Sequence, residues 1–195
     1  MHLDGTHTLN APRQQVWNML LDPAVLARVV PGVKTLDPEG DGVYKAISEV
    51  KMGPVSGSFS GQMEVADQNP PERFTLKMKQ NSKIGNVAAE GNISLKPLGE
   101  SQTEITFSGD AKLTGTLARM GQRVLSGVAK SMTKQFFQAL EEELNNVQKT
   151  QGSSEVKKDI EAEQATQIAT KGKNKSEGNK FIAWLRRLFG IKTTS

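Results

Sequence analysis

The sequence predicts an α+β fold in which a curved antiparallel sheet encloses one long helix. Residues 33–114 alternate apolar and polar side chains, and turn signals recur about every 10–15 residues. Residues 117–147 place apolar side chains three or four positions apart, which is the period of a helix. A strand-like segment and two short helical segments come before the alternating region. This order of elements describes a sheet that grips a helix.

The first segments are short. Residues 2–10 alternate in polarity, which indicates a half-buried strand with Leu3, His7 and Leu9 on its apolar face. Apolar side chains then recur at helical spacing in residues 16–21 and 26–30. Asp22-Pro23 separates the two predicted helices.

The middle region predicts five to six strands in hairpin order, because its breaks fall at Gly- and Pro-rich turns such as residues 38–42, 69–71 and 97–100. Strands joined by such short turns pair in antiparallel fashion. The helical pattern that follows predicts a single helix of about 32 residues, or about 48 Å. The sheet is the large apolar surface that such a helix can cover, so we expect the helix to lie across it.

The inward positions of the predicted strands carry many small residues, which indicates a sharp bend in the sheet, a cavity, or both. We therefore predict an internal site for an apolar ligand. Flexible methionines suit a ligand of irregular shape, although each one is more often ordinary core. His7 is a further candidate for contact with a polar group of the ligand. The predicted ligand-binding residues are Val55, Gly57, Phe59, Gly61, Met63, Phe74, Leu76, Met78, Ala89, Phe107, Ala111, Met120, Val124 and Val128.

The composition changes after the helix. We assign residues 1–148 to the ligand-binding domain, residues 149–178 to a flexible linker and residues 179–192 to an amphipathic helix. The formal net charge is +4, yet residues 149–195 alone contain 10 Lys and Arg against 5 Asp and Glu. A basic end of this kind favours an anionic partner.

The predicted terminal helix has one apolar face with basic residues at its flanks, as an interfacial membrane helix requires. Docking on its own domain or in the groove of a partner protein is the alternative. Nucleic acid is disfavoured, because neither stacking nor groove binding needs so many clustered apolar side chains. The predicted membrane-binding residues are Lys180, Phe181, Ile182, Trp184, Leu185, Arg186, Arg187, Leu188 and Phe189.

Several classes of protein are excluded or disfavoured. The sequence has no cysteine and 2 histidines, which excludes thiol catalysis and histidine-rich metal sites. Neither a membrane-spanning stretch nor a signal peptide is visible, so we expect a cytoplasmic protein. No constellation of residues requires catalysis, and we expect neither catalytic nor metal-binding residues.

Residues 51–61, KMGPVSGSFSG, resemble the central signature of the family of the carbon monoxide dehydrogenase G subunit, which belongs to the START-like superfamily of polyketide cyclases and lipid-transfer proteins. Residues 115–123, GTLARMGQR, are also similar to that family. Shorter matches are Ala11-Pro12, Val16-Trp17, Asp22-Pro23, Pro31-Gly32 and Asn69-Pro70-Pro71. The resemblance covers about residues 1–147. It implies a helix-grip fold with an apolar cavity between the sheet and the long helix.

The resemblance also implies a non-enzymatic accessory protein of a molybdenum-containing, carbon monoxide dehydrogenase-type enzyme. In that interpretation no cofactor is covalently bound, and the cavity holds an isoprenoid quinone, either menaquinone or ubiquinone. The terminal helix would tether the protein to anionic lipids on the cytoplasmic face of the membrane. Two alternatives remain: a polyketide cyclase- or hydrolase-type enzyme that uses His7 or an inward acid as base, and a partner-binding scaffold without a ligand.

Overall fold

A computed structural model describes the backbone of residues 1–170 and the side chains of residues 1–147. Met1–Gln148 form one compact unit, and the described residues 149–170 lie outside it. The elements in chain order are β1 (His2–Leu9), α1 (Arg13–Leu21), α2 (Pro23–Val29), β2 (Val33–Gly40), β3 (Val43–Met52), β4 (Val55–Asn69), β5 (Arg73–Ser82), β6 (Gly85–Pro97), β7 (Thr103–Leu113), α3 (Gly115–Arg119) and α4 (Gln122–Thr170).

The described strands form one seven-stranded sheet in the order β1-β7-β6-β5-β4-β3-β2. Every neighbouring pair is antiparallel. Strands β2 to β7 follow one another as hairpins, whereas β1 pairs with β7 at the opposite edge from β2. The two short helices α1 and α2 make the connection between these edges. The predicted antiparallel sheet is therefore confirmed, with six strands in the middle region.

A closed apolar core fills one end of the sheet. Trp17 of α1 meets Phe74 of β5 edge to face, with ring centroids 5.6 Å apart. Leu140 of α4 is fully buried in the same cluster, and Leu144 lies one turn further along. Helices α1 and α2 and residues 137–144 of α4 thus cover this end of the sheet from one side.

The long helix differs from the prediction at its start. We predicted a single helix after Gly115, but the structure has the short α3 and then a break before α4. Gly121 lies at the break with a φ of 81°, in the left-handed region that favours glycine. A residue with a side chain would be strained in this conformation. The break therefore changes the rotational phase of α4 relative to α3.

The predicted linker also differs from the structure. We predicted a flexible linker with at most a transient helix over residues 149–178, whereas α4 continues to Thr170. The sequence of this stretch is rich in Lys, Glu, Gln and Ala, all of which have high helix propensity. The last predicted linker residues, 171–178, and the predicted terminal helix at 179–192 lie outside the described residues.

Candidate functional site

A second apolar cluster lies at the other end of the sheet. Val55 and Phe59 of β4 and Leu117 of α3 form its buried centre. Leu125 and Val128 of α4 pack against them, and so do side chains from β3, β6 and β7. The sequence alternates through these strands because successive residues of a strand point to opposite faces of a sheet. Phe59 and Val55 therefore share the inward face with the side chains of the neighbouring strands.

Two apolar hollows lie against the sheet, and the first of them adjoins this cluster. The first, which we call the helix hollow, lies between the sheet and helices α3 and α4 and has a volume of about 160 Å³. Its lining residues are Met1, Val50, Val55, Phe59, Met78, Gln80, Val87, Leu113, Leu117, Leu125, Val128, Ala129 and Met132.

The second, which we call the strand hollow, has a volume of about 270 Å³ and lies over β1, β5, β6 and β7. Its inward lining includes Leu3, Leu76, Met78, Ala89, Gly91, Ile93, Phe107, Gly109 and Ala111. Met1 and Met78 line both hollows. Methionine side chains adjust to irregular shapes, so Met78 is a flexible partition between the two spaces.

Most of the predicted ligand-binding residues fall into these two linings. Val55, Phe59, Met78 and Val128 line the helix hollow. Leu76, Met78, Ala89, Phe107 and Ala111 line the strand hollow. Met120 packs against the second cluster.

The other predicted residues lie elsewhere. Phe74 belongs to the closed core, and Met63 packs against that core. Gly57 borders a separate concavity that is lined mainly by polar side chains. Gly61 does not open a hollow, because a Cβ atom there would lie 1.9 Å from the Lys79 carbonyl oxygen. Its missing side chain allows β4 and β5 to approach closely at this point.

Val124 was predicted to line the site, and this is wrong. Its side chain is 38% exposed, whereas Leu125 packs inward. The prediction extended the helical period of residues 117 and 120 without interruption to residue 124. Because the chain breaks at Gly121, the first turn of α4 places Val124 outward and Leu125 inward, whereas Val128 lines the helix hollow as predicted.

Gln80 is the polar residue that sequence reasoning missed. It lies on β5 and is 8% exposed, and Ser48 of β3 donates a hydrogen bond of 3.5 Å from Oγ to its Oε1. Ser48 is 6% exposed. Gln80 continues the inward register of Phe74, Leu76 and Met78, so the period of two along β5 could have found it.

His7 faces inward from β1, as predicted, but it contacts α4 rather than either hollow. Its ring stacks on Phe137 with centroids 4.2 Å apart. Its Nε2 lies 2.8 Å from Glu141 Oε1. Nearby, Arg28 of α2 donates a hydrogen bond to Glu143 of α4, which raises the pKa of the Arg28 guanidinium. These polar contacts attach residues 141–143 of α4 to β1 and α2.

The predicted membrane-binding residues, 180–189, lie outside the described residues. Among the described helices, none combines the length and the apolar composition needed to cross a membrane.

Comparison with known proteins places this chain in a family. The family model of the carbon monoxide dehydrogenase G subunit (CoxG) matches residues 5–145. The chain belongs to the CoxG family. The match spans the sheet, α1 to α3 and the part of α4 that packs on the sheet. None of the curated proteins matches the chain.

Solved structures share the fold. A conserved protein from Geobacillus kaustophilus is 32% identical, with a TM-score of 0.73, and the match covers 75% of this chain and 96% of that one. A START superfamily protein from Mycobacterium smegmatis is 14% identical, with a TM-score of 0.60 and coverage of 75% and 98%. The Zhui aromatase/cyclase from Streptomyces sp. R1128 is 16% identical, with a TM-score of 0.58 and coverage of 73% and 92%. The predicted START-like α+β fold is confirmed.

Proposed function

We propose that this CoxG family member is a non-enzymatic accessory protein that holds a respiratory quinone, such as menaquinone or ubiquinone, between its sheet and α4. The observation that carries the proposal is the pair of apolar hollows that share Met78. In the interpretation we favour, the quinone ring occupies the helix hollow and part of the isoprenoid chain extends into the strand hollow.

The size and chemistry of the two spaces support an elongated apolar ligand. Each hollow, at about 160 and 270 Å³, lies below the range of about 300–1,000 Å³ that drug-sized ligands occupy. A ligand that engages both spaces has to displace the side chain of Met78, which is unbranched and flexible. A long, narrow molecule satisfies this geometry better than a compact one.

The basic C-terminal end supports the second part of the proposal, which is a tether to anionic lipids on the cytoplasmic face of the membrane. The predicted terminal helix would combine a Trp-containing apolar face with Lys180, Arg186 and Arg187. Each cation near an anionic surface contributes about 1 kcal/mol, and insertion of the apolar face adds to this. Attachment to the membrane would bring the hollows close to the pool of quinone.

The third part of the proposal is the partner. The name of the family associates it with carbon monoxide dehydrogenase. We propose that this chain serves a molybdenum-containing dehydrogenase of that kind and couples it to the quinone pool.

The alternative of a cyclase- or hydrolase-type enzyme is less well supported. His7 was the candidate base, but it pairs with Glu141 and stacks on Phe137, and it is absent from the described linings of both hollows. The likeness to the Zhui aromatase/cyclase, at 16% identity, concerns the fold alone.

The proposal is tested by solvent extraction and mass spectrometry of the full chain purified from cells that make quinones. We expect about one quinone per chain. Ala89→Leu, which fills the strand hollow from β6, should reduce the recovered quinone at least several-fold. Ala88→Leu is the matched control, because the neighbouring residue faces outward and is exposed.

Ala111→Leu on β7 fills the same hollow from another strand and repeats the test if Ala89→Leu does not fold. Circular dichroism checks that each variant keeps its sheet. A wild-type protein that stays empty after incubation with quinone-loaded vesicles would refute the carrier function.

A further inference from the structure

Gln80 differs in polarity from the other residues that line the helix hollow. Among the described residues that line this space, it has the only polar side chain. It is 8% exposed and lies between β4 and β6 in the interior of the sheet. Burial of an amide without full hydrogen bonding is unfavourable. A Gln side chain among apolar side chains is therefore expected to have a specific role.

Ser48 satisfies one half of this amide and leaves the other half available. The Ser48 hydroxyl donates to Gln80 Oε1 across β4, past Gly61, which has no side chain to block the path. No atom of the described residues accepts a hydrogen bond from Gln80 Nε2. Every fully enclosed side-chain nitrogen or oxygen in the described part of the chain has a partner. Nε2 is therefore not fully enclosed by the protein, and Gln80 is one of the residues that line the hollow.

We infer that the Gln80 amide nitrogen donates a hydrogen bond to a carbonyl oxygen of the bound ligand, and that it selects ligands in which an apolar ring system bears such an oxygen. This inference rests on the proposed function and specifies the chemistry of the ligand. Ser48 acts as a positioning residue, because its bond to Oε1 turns the NH₂ group of the amide toward the hollow. The remaining lining recognises the ligand by shape.

The direction of the hydrogen bond decides which ligands are favoured. Ser48 uses the acceptor of the amide, so the group that remains is a donor. A ketone or quinone oxygen complements this donor, whereas a saturated hydrocarbon leaves it unpaired. Sites that hydrogen-bond a ligand group discriminate strongly against analogues that lack the group, because the buried partner is then unsatisfied.

The test uses the full chain and two probes of nearly equal shape, 2-methyl-1,4-naphthoquinone and 2-methylnaphthalene. We expect the wild-type protein to bind the quinone about tenfold more tightly, the effect of one buried hydrogen bond. Gln80→Met keeps the length of the side chain and removes the donor. It should lower the affinity for the quinone about tenfold and leave the affinity for the hydrocarbon unchanged or higher.

A matched control and a second readout separate recognition from a structural role. Gln62→Met makes the same substitution at an exposed position of β4 and should leave both affinities unchanged. In the wild-type protein, the carbonyl stretching band of the bound quinone should shift to lower frequency. The shift should disappear in Gln80→Met and decrease in Ser48→Ala.

The outcomes distinguish this inference from the function on which it rests. If the wild-type protein binds neither probe, the carrier function fails and the inference fails with it. If the wild-type protein binds both probes equally, or if Gln80→Met retains full affinity for the quinone probe, the hollow is a ligand site and the role of Gln80 is refuted.

Discussion

The imidazole of His7 on β1 stacks on the ring of Phe137 on α4, with 4.2 Å between their centroids and 17° between their planes. The same imidazole donates from Nε2 to Glu141, one turn further along α4. Phe137 in turn contacts Phe107 of β7, with 5.8 Å between ring centroids. One histidine therefore connects the edge strand to the long helix at the closed end of the sheet, outside the described linings of the two hollows.

The role of His7 is predicted to be structural. His7→Ala removes both the stacking and the bond to Glu141 and should lower the free energy of unfolding by about 1–2 kcal/mol. His7→Phe keeps an aromatic ring against Phe137 and should lose less than half as much. Urea denaturation of the full chain measures the free energy of unfolding of both variants.

The same variants address the enzyme alternative. We expect His7→Phe to keep the bound ligand and to change no chemical step. If the His7→Phe variant retained an unreacted substrate and the wild-type protein retained the corresponding product, the accessory function would be contradicted.

Two glycines of β4 give a second prediction. A Cβ atom on Gly61 would lie 1.9 Å from Lys79 O and 2.8 Å from Gln80 Cα, both of which are backbone atoms. A Cβ atom on Gly57 would meet Ile84 at 3.7 Å, an ordinary contact. Gly61→Ala should therefore force β4 and β5 apart and destabilise the protein by about 1–3 kcal/mol.

Gly57→Ala is the matched control and should change the stability by less than about 0.5 kcal/mol. Thermal unfolding followed by circular dichroism compares the two variants. Equal melting temperatures would mean that β4 and β5 can accommodate a Cβ atom at position 61 without loss of stability.

The closed core gives a third prediction. Leu140 is fully buried in the cluster that also includes residues of α1 and α2. Leu140→Ala should therefore lower the free energy of unfolding by about 2–5 kcal/mol, because it removes buried apolar surface and leaves a cavity. Leu125 borders the helix hollow, which is already open. Leu125→Ala should therefore lower the free energy of unfolding by less than Leu140→Ala does, but it should enlarge the helix hollow. Urea denaturation measures the stability, and quinone recovery from the same samples measures the effect on the ligand. A larger loss of stability in Leu125→Ala would contradict the assignment of the two ends of the sheet.

The fold was predictable because its local patterns repeat over long segments. The period of two along β4 to β7 identified the inward faces, and Gly- and Pro-rich turns located the hairpins. The outward position of Val124 was not predictable, since this residue lies in the first turn of α4 just after the left-handed Gly121, whereas Val128 lies inward as predicted. The contact of Ser48 with Gln80 was also missed, because it joins two strands that are not neighbours and crosses β4 beside Gly61, which has no side chain. Patterns within one element do not report such contacts.

The membrane tether gives the last prediction, and it concerns the predicted terminal helix. The full chain should sediment with vesicles that contain anionic lipid and much less with neutral vesicles, and added salt should weaken binding by screening the basic residues. Leu185→Asp places a charge in the middle of the apolar face and should reduce binding more than about tenfold, since burial of one leucine contributes about 1.5–3 kcal/mol. Thr194→Asp adds the same charge outside the predicted helix and should reduce binding only slightly. Equal losses of vesicle binding in the two variants would mean that net charge alone attracts the protein to lipid. If the wild-type chain did not bind vesicles at all, the alternative that this segment docks in the groove of a partner protein would be favoured.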